Sequence, residues 1–185
     1  MLRRTLQNLA LLVPLAIWSG AAVGLTFLTT PVIFATLDRD AASRLVGQLF
    51  PGYFRLGLVC LTLALAASLA SLLARPARPR RWWATPALLA AALALMLYAG
   101  LVLEPQLAAV QTRIPSFITD TDSPARQEFR RLHSLSSSLN LAVLVLTAAV
   151  WVLTALDPRL LLGAAATGEP ATAAPRPARR PAAGA

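Results

Sequence analysis

Apolar positions in this chain fall into four long, continuous blocks. They cover about 9–37, 53–74, 86–107 and 132–156, and charged or proline-rich stretches part them. A block of roughly 18 or more apolar residues is long enough to cross the hydrocarbon core of a bilayer as a helix. In lipid every backbone N–H and C=O must be paired internally, which leaves helices or closed barrels. The blocks show no period-two alternation, so a barrel is excluded. The pattern predicts an all-α membrane protein, with four transmembrane helices in one bundle over 1–157.

The breaks add detail. After Leu37, the residues Leu45, Val46, Leu49 and Phe50 line one side of 41–50, with Arg44 and Gln48 on another. This predicts a short amphipathic interfacial helix between the first and second spans, ended by Phe50-Pro51-Gly52. Arg55 follows close to the start of the second span and is expected to snorkel to the headgroups. The second break carries Arg75, Arg78, Arg80 and Arg81 and then Trp82-Trp83, an aromatic pair suited to the membrane interface. The third break, about 106–131, is mixed in charge. Ser123 as N-cap with Pro124 at the first helical position predicts the start of the last helix there. Residues 158–185 are Ala, Pro, Gly, Thr and Arg, too poor in apolar side chains to pack, and are expected to form a disordered cytoplasmic tail.

Charge then orients the chain. The net charge of +9 rests on seventeen arginines and no lysine. Four spans put both termini on one side, together with Arg3, Arg4, the second break and the arginines of the tail. The positive-inside rule makes that side cytoplasmic, so the expected location is the cytoplasmic membrane, multi-pass, with both termini inside. A basic patch on a soluble fold is missing, which argues against nucleic acid as a partner. The expected partner is the lipid bilayer, with a homo-oligomer or another membrane protein left open. A cleavable signal is the competing reading of the first block, with Ser19-Gly20-Ala21 as its cleavage site. The apolar pattern runs on through Phe34 and Leu37, favouring an uncleaved span.

Chemistry is sparse. Catalytic motifs such as G-x-S-x-G and H-E-x-x-H are absent, Cys60 is the only cysteine, and His133 the only histidine. Glu104 is the one acid near a span, and its place before Pro105 points to the interface. The polar groups that do share a face lie on the fourth helix: Arg126, Arg130, His133, Ser137, Asn140 and Thr147, at three-to-four spacing. Burying such groups in lipid is costly, so they should face the bundle or a water-filled cavity. Three uses compete: interhelical hydrogen bonding, a path or pocket for a small solute, and a haem, metal or quinone site with His133 as ligand. A lone histidine without a second soft ligand weakens the third, and no cofactor or metal is assigned. In the first block, Gly20 and Gly24 form a G-x-x-x-G step on one face with Phe27, Pro31 and Phe34. Gly20, Gly24 and Pro31 are therefore expected to pack the bundle.

Several pieces in order make the chain resemble the transmembrane-protein-205-like family, bacterial four-span membrane proteins of unassigned function. They are Trp18-x-Gly20-x-x-x-Gly24-x-x-Phe27, Pro31-x-x-Phe34, Leu37-x-Arg39-x-x-Ala42, Leu49-Phe50-Pro51-x-Tyr53, Pro105, and Phe129-x-x-Leu132-His133-x-x-Ser136-x-x-x-Asn140. The chain departs from that pattern at Ser43, where glycine is expected, and at Gln106, where a basic residue is. The resemblance implies a four-helix core and adds Trp18 and Arg39 to the ligand or pathway candidates. It implies no firm activity. A remoter likeness to four-span membrane oxidases and copper-resistance proteins is the source of the alternative, a haem-, metal- or quinone-linked oxidoreductase using His133. The leading expectation is a non-enzymatic membrane protein in small-solute handling or in a membrane partnership.

Overall fold

The computed structural model describes residues 2–74 and 83–156, with side chains described from residue 6 onward. The second break as far as Trp82, and the tail, lie outside the described residues. Four helical rods follow one another, each long and apolar enough to cross a membrane. The first, α1, runs from Leu2–Val23 through a π-helical segment Gly24–Thr29 into Thr30–Thr36. The second, α2, is Arg39–Leu73. The third, α3, joins Ala84–Tyr98, a second π segment Ala99–Leu103, and Glu104–Gln111. The fourth, α4, is Pro124–Ala155. Neighbours in sequence are neighbours in space: α1 packs on α2, α2 on α3 and α3 on α4. The turn at 37–38 and the loop 112–123 lie at the distal end, remote from Leu2 and Leu156, the first and last described residues and the termini meant below.

Local chemistry sets the breaks. Leu37 is extended, and Asp38 caps α2 by accepting the Ala41 N–H at 2.8 Å. Ser123 caps α4 in the same way from the Arg126 N–H, with Pro124 at the first helical position, which is the start the sequence predicts. The short helix expected at 41–50 is helical, but it is not a separate element. It runs without interruption into the second span, through Pro51. A proline inside a helix costs roughly 3 kcal/mol. Here Val46 on one side of it, and Tyr53 and Phe54 on the other, are buried. Each such burial is worth about 1.5–3 kcal/mol, so packing holds both turns and outweighs the lost hydrogen bond.

Of the three other inner prolines, Pro14 lies within the regular helix Leu2–Val23, and the remaining two are handled differently. The Thr30 N–H reaches back five residues to the Leu25 carbonyl, and Pro31 follows directly. The Glu104 N–H reaches back five residues to the Ala99 carbonyl, and Pro105 follows directly. A proline ring collides with the carbonyl four residues before it and has no N–H to donate. One widened turn moves that carbonyl aside, so each π segment accommodates the proline after it.

The core lies in the half of the bundle nearer the termini and in its middle. Trp18, Leu15, Leu61, Leu89, Met96, Val143 and Val150 are fully enclosed there. The tight crossings are at Gly57 and Gly100. A Cβ on Gly57 would lie 2.9 Å from the Trp18 ring and 3.0 Å from the Met96 methyl, and one on Gly100 would lie 3.1 Å from Phe54. Gly20 and Gly24, expected to pack the bundle, have nothing within 4 Å of such a Cβ, and Pro31 is exposed. The reason is direction: α1 presents Leu15, Trp18 and Ala22 to the bundle, and Gly20 lies off that stripe. Large apolar side chains point outward along every rod, among them Leu28, Val59, Leu101 and Val145, as a lipid-facing surface requires.

A candidate solute site at the distal end

Two ties hold the distal end together. The Asp40 carboxylate at the start of α2 accepts the Ser116 hydroxyl at 2.8 Å and the Phe117 backbone N–H, pinning the 112–123 loop onto α2. The Gln111 amide at the end of α3 donates to the Ser43 carbonyl at 2.9 Å. Behind them the loop builds an aromatic ladder. Phe117 meets Phe129 edge-on at 5.1 Å, and Phe129 stacks on His133, one turn further along α4, at 5.7 Å. The Arg126 guanidinium sits over the Phe117 ring, 4.4 Å from its centre, a cation–π contact.

Between these elements the four rods do not close. An inner chamber of about 320 Å³ reaches down to Tyr53, Asn140 and Leu144. An outer chamber of about 300 Å³ runs up to Arg39, Phe117 and Arg126. Thr30, Gly47, Phe50, Leu107, Gln111 and His133 line both, so the two chambers adjoin along a shared wall. Such volumes lie at the lower end of ligand-sized pockets. On the inner wall the Tyr53 hydroxyl donates to the Asn140 side-chain carbonyl, joining α2 to α4. Beneath Tyr53, 4.9 Å away centre to centre, lies Trp18, fully buried with its indole N–H unpartnered.

The sequence candidates divide on this geometry. His133, Ser137 and Asn140 line the inner chamber, and Arg39, Arg126 and His133 the outer one. Trp18 lines neither and supports Tyr53 from below. Arg130 turns away: its guanidinium donates to the Thr121 carbonyl at 3.0 Å and pairs with Asp122 at 3.4 Å, bracing the loop. Thr147 is buried on the same helical face, and its hydroxyl bonds to its own helix at Val143 and Leu144. Arg55 is exposed and forms no ion pair among the described residues.

Three lining groups escape sequence reasoning as site residues. Tyr53 and Gln111 reach the site only through partners far away in the chain, and no spacing announces them. Glu104, expected at the interface, lines the inner chamber on the turn widened ahead of Pro105. Outside the spans, Asp120 is held below the ordinary carboxylate range by the Ser123 hydroxyl, 2.6 Å away, and by the Ser123 backbone N–H. Among the described residues no three histidine, cysteine or carboxylate side chains gather where they could hold a metal ion.

No curated protein and no solved structure matches the chain. A family model does, over residues 13–116, covering most of α1, all of α2 and α3 and the start of the distal loop; α4, which carries His133 and Asn140, lies beyond it. On that match the chain belongs to the DUF4149 family, a domain of unknown function.

Proposed function

We propose that the chain is an integral protein of the cytoplasmic membrane, with both termini inside, that binds a small solute in its distal site without transforming it. The observation that carries this is the site itself. Four helices that pack closely near the termini part at the distal end around hydroxyl, amide, imidazole and carboxyl groups. Of these groups only Tyr53 is buried, and its hydroxyl is already bonded to Asn140; His133 and Ser137 are exposed and free to meet a solute. The resemblance to the transmembrane-protein-205-like group agrees with four spans and carries no activity.

The length of the helices supports a placement. The 35 residues of α2 extend about 52 Å at 1.5 Å each, against a hydrocarbon core of about 30 Å. Arg55 faces outward among apolar neighbours and belongs at the headgroup level. The part of α2 before it then stands beyond the hydrocarbon layer, and the site lies at and above the outer surface.

A cysteine probe tests the binding reading. Ser137→Cys in a Cys60→Ala background should react with a water-soluble maleimide from the distal side, and an occupying solute should slow the reaction. A thiol that never reacts would refute an accessible site. A redox cofactor copurifying at about one per chain would refute a non-enzymatic role. Cysteines at Thr119 and Ala77 test orientation: Thr119 should be labelled from outside the cell and Ala77 should not, and the reverse pattern overturns it.

A further inference from the structure

We infer that the distal site takes a single-chain amphiphile with an anionic head, the head between Arg39 and Arg126 and the chain running inward along Phe50 and Leu107. This rests on the solute-binding reading and names its ligand class. The charges of the site are polarised. The only formally charged side chains lining the outer chamber are Arg39 and Arg126. The only one lining the inner chamber is Glu104. The cations of the site therefore lie in the outer chamber and its one acid in the inner, with the Asp40 and Asp120 carboxylates beside Arg126.

Both cations are available to a ligand. The ion pairs among the described residues are Arg113–Glu128 and Arg130–Asp122, and neither involves Arg39 or Arg126. The Nε–H of Arg126 is buried and has no acceptor, a costly state unless something else supplies one. The Asp40 and Asp120 carboxylates are near enough to feel the charge of Arg126, but they bond to Ser116, Phe117 and Ser123 and form no ion pair with Arg126. A carboxylate or phosphate head would give Arg126 its missing acceptor in a charge-assisted bond.

The rest of the site suits a hydrocarbon chain. Around the two arginines the outer walls are mostly apolar, with Phe34, Val46, Phe117 and Phe129 among them. The inner chamber opens sideways, because Phe27 and Leu141 line it while being 64% and 61% exposed. These residues belong to α1 and α4. The hydrogen bond that ties those two helices, from the Trp151 indole N–H to the Ser19 hydroxyl, lies in the half of the bundle nearer the termini. On the distal side, Thr30–Thr36 packs on α2. The gap between α1 and α4 is thus a lateral opening at the headgroup level, beside the outer leaflet. An amphiphile can enter there from the outer leaflet with its chain leading. From Arg39 to Phe54 the site runs fifteen residues of α2, about 22 Å. That exceeds the roughly 15 Å half-thickness of the hydrocarbon core that one acyl chain spans.

The test uses the full chain in nanodiscs of phosphatidylcholine, with a photoactivatable fatty acid as probe. Oleate and oleyl phosphate should compete with crosslinking roughly tenfold or more better than oleyl alcohol or oleylamine, the margin a charged hydrogen bond confers. The head is a carboxylate if oleate wins and a phosphate if oleyl phosphate does; either supports the inference. Arg39→Gln with Arg126→Gln should abolish the preference, and Arg126→Lys should keep most of it. Equal competition by the alcohol overturns the anionic head and leaves solute binding standing. Crosslinking that Ser137→Trp does not reduce overturns both, since the probe would then sit outside the site.

Discussion

Adding one methyl group to each of four glycines should separate them by position, against the order the sequence suggests. At Gly57 the new Cβ meets the rigid Trp18 ring at 2.9 Å and the Met96 methyl at 3.0 Å. Met96 can turn aside, but the indole is fully enclosed and cannot. Overpacking of this kind costs about 1–3 kcal/mol. Alanine normally regains nearly 1 kcal/mol over glycine in a helix. In a membrane the unfolded reference keeps its helices, so little of that gain offsets the clash. At Gly100 the new atom lies 3.1–3.4 Å from Phe54, a contact that asks for a few tenths of an ångström. Gly100→Ala should therefore cost less than Gly57→Ala. At Gly20 and Gly24 it meets nothing within 4 Å, and those variants should be neutral.

The assay is the thermal unfolding midpoint of detergent-purified protein, with cysteine accessibility at Cys60 as a second probe. A chain of this size moves about 2–4 °C per kcal/mol, so Gly57→Ala should fall by roughly 2–12 °C. Gly20→Ala and Gly24→Ala should stay at the wild-type midpoint. If Gly20→Ala is as damaging as Gly57→Ala, the packing surface of α1 has been placed wrongly.

Three further outcomes are expected at the distal end. A double-mutant cycle on Tyr53→Phe and Asn140→Leu should give a coupling of about 0.6 kcal/mol and no more than about 1.7 kcal/mol, the range for hydrogen bonds between membrane helices. Zero coupling by the same unfolding assay would remove that bond from the inner wall. Asp40→Asn should speed hydrogen exchange at the Phe117 amide, which the carboxylate accepts, and leave the Leu61 region unchanged; an unaltered Phe117 rate would refute the tie. Asp120 titrates lower in the folded chain than in the unfolded one, because Ser123 donates to its charged form. The unfolded state then binds the proton more readily, so this stabilisation is whole above the ordinary carboxylate value and is lost as pH falls through the lowered one. Protection of the first turn of α4, measured against the intrinsic exchange rate at each pH, should fall in acid, and Asp120→Asn should flatten that fall.

Much of the fold is legible in the chain. Four apolar blocks give four rods, and Ser123-Pro124 marks the start of α4 to the residue. The site is legible on one wall only. Arg126, His133, Ser137 and Asn140 share a helical face because α-helical spacing is local, so their common direction can be read from sequence. Arg130 has the same spacing, yet it leaves the site for the Thr121 carbonyl and Asp122. A long side chain near a helix end has loop acceptors within reach that periodicity does not record. The facing wall depends on pairings such as Tyr53 with Asn140 and Gln111 with Ser43, made by residues 87 and 68 positions apart. Glycine spacing misled in the same way: a G-x-x-x-G step shows that a helix could approach, and only the whole bundle decides whether one does.

The three inner prolines of the distal half lead to a last prediction. Pro31, Pro51 and Pro105 all lie in the distal halves of their helices, and two of them follow a π segment. A π segment is an α-helix carrying one extra residue in a turn. In α3 that turn is Ala99–Leu103, and it carries Leu101, 65% exposed to the lipid side. Deleting a residue from a regular helix rotates everything beyond it by about 100° and takes apolar positions off the core. Deleting Leu101 should instead convert the widened turn to an ordinary one and leave both flanks in register. The Glu104 side of the inner chamber would tighten against Pro105. The deletion should therefore yield monodisperse protein with a smaller site, seen as slower maleimide labelling of Ser137→Cys. Deleting Leu93, in the regular part of the same helix, should abolish folded protein. Two deletions with the same yield would refute the claim that the extra residue at this turn is what holds the distal site open.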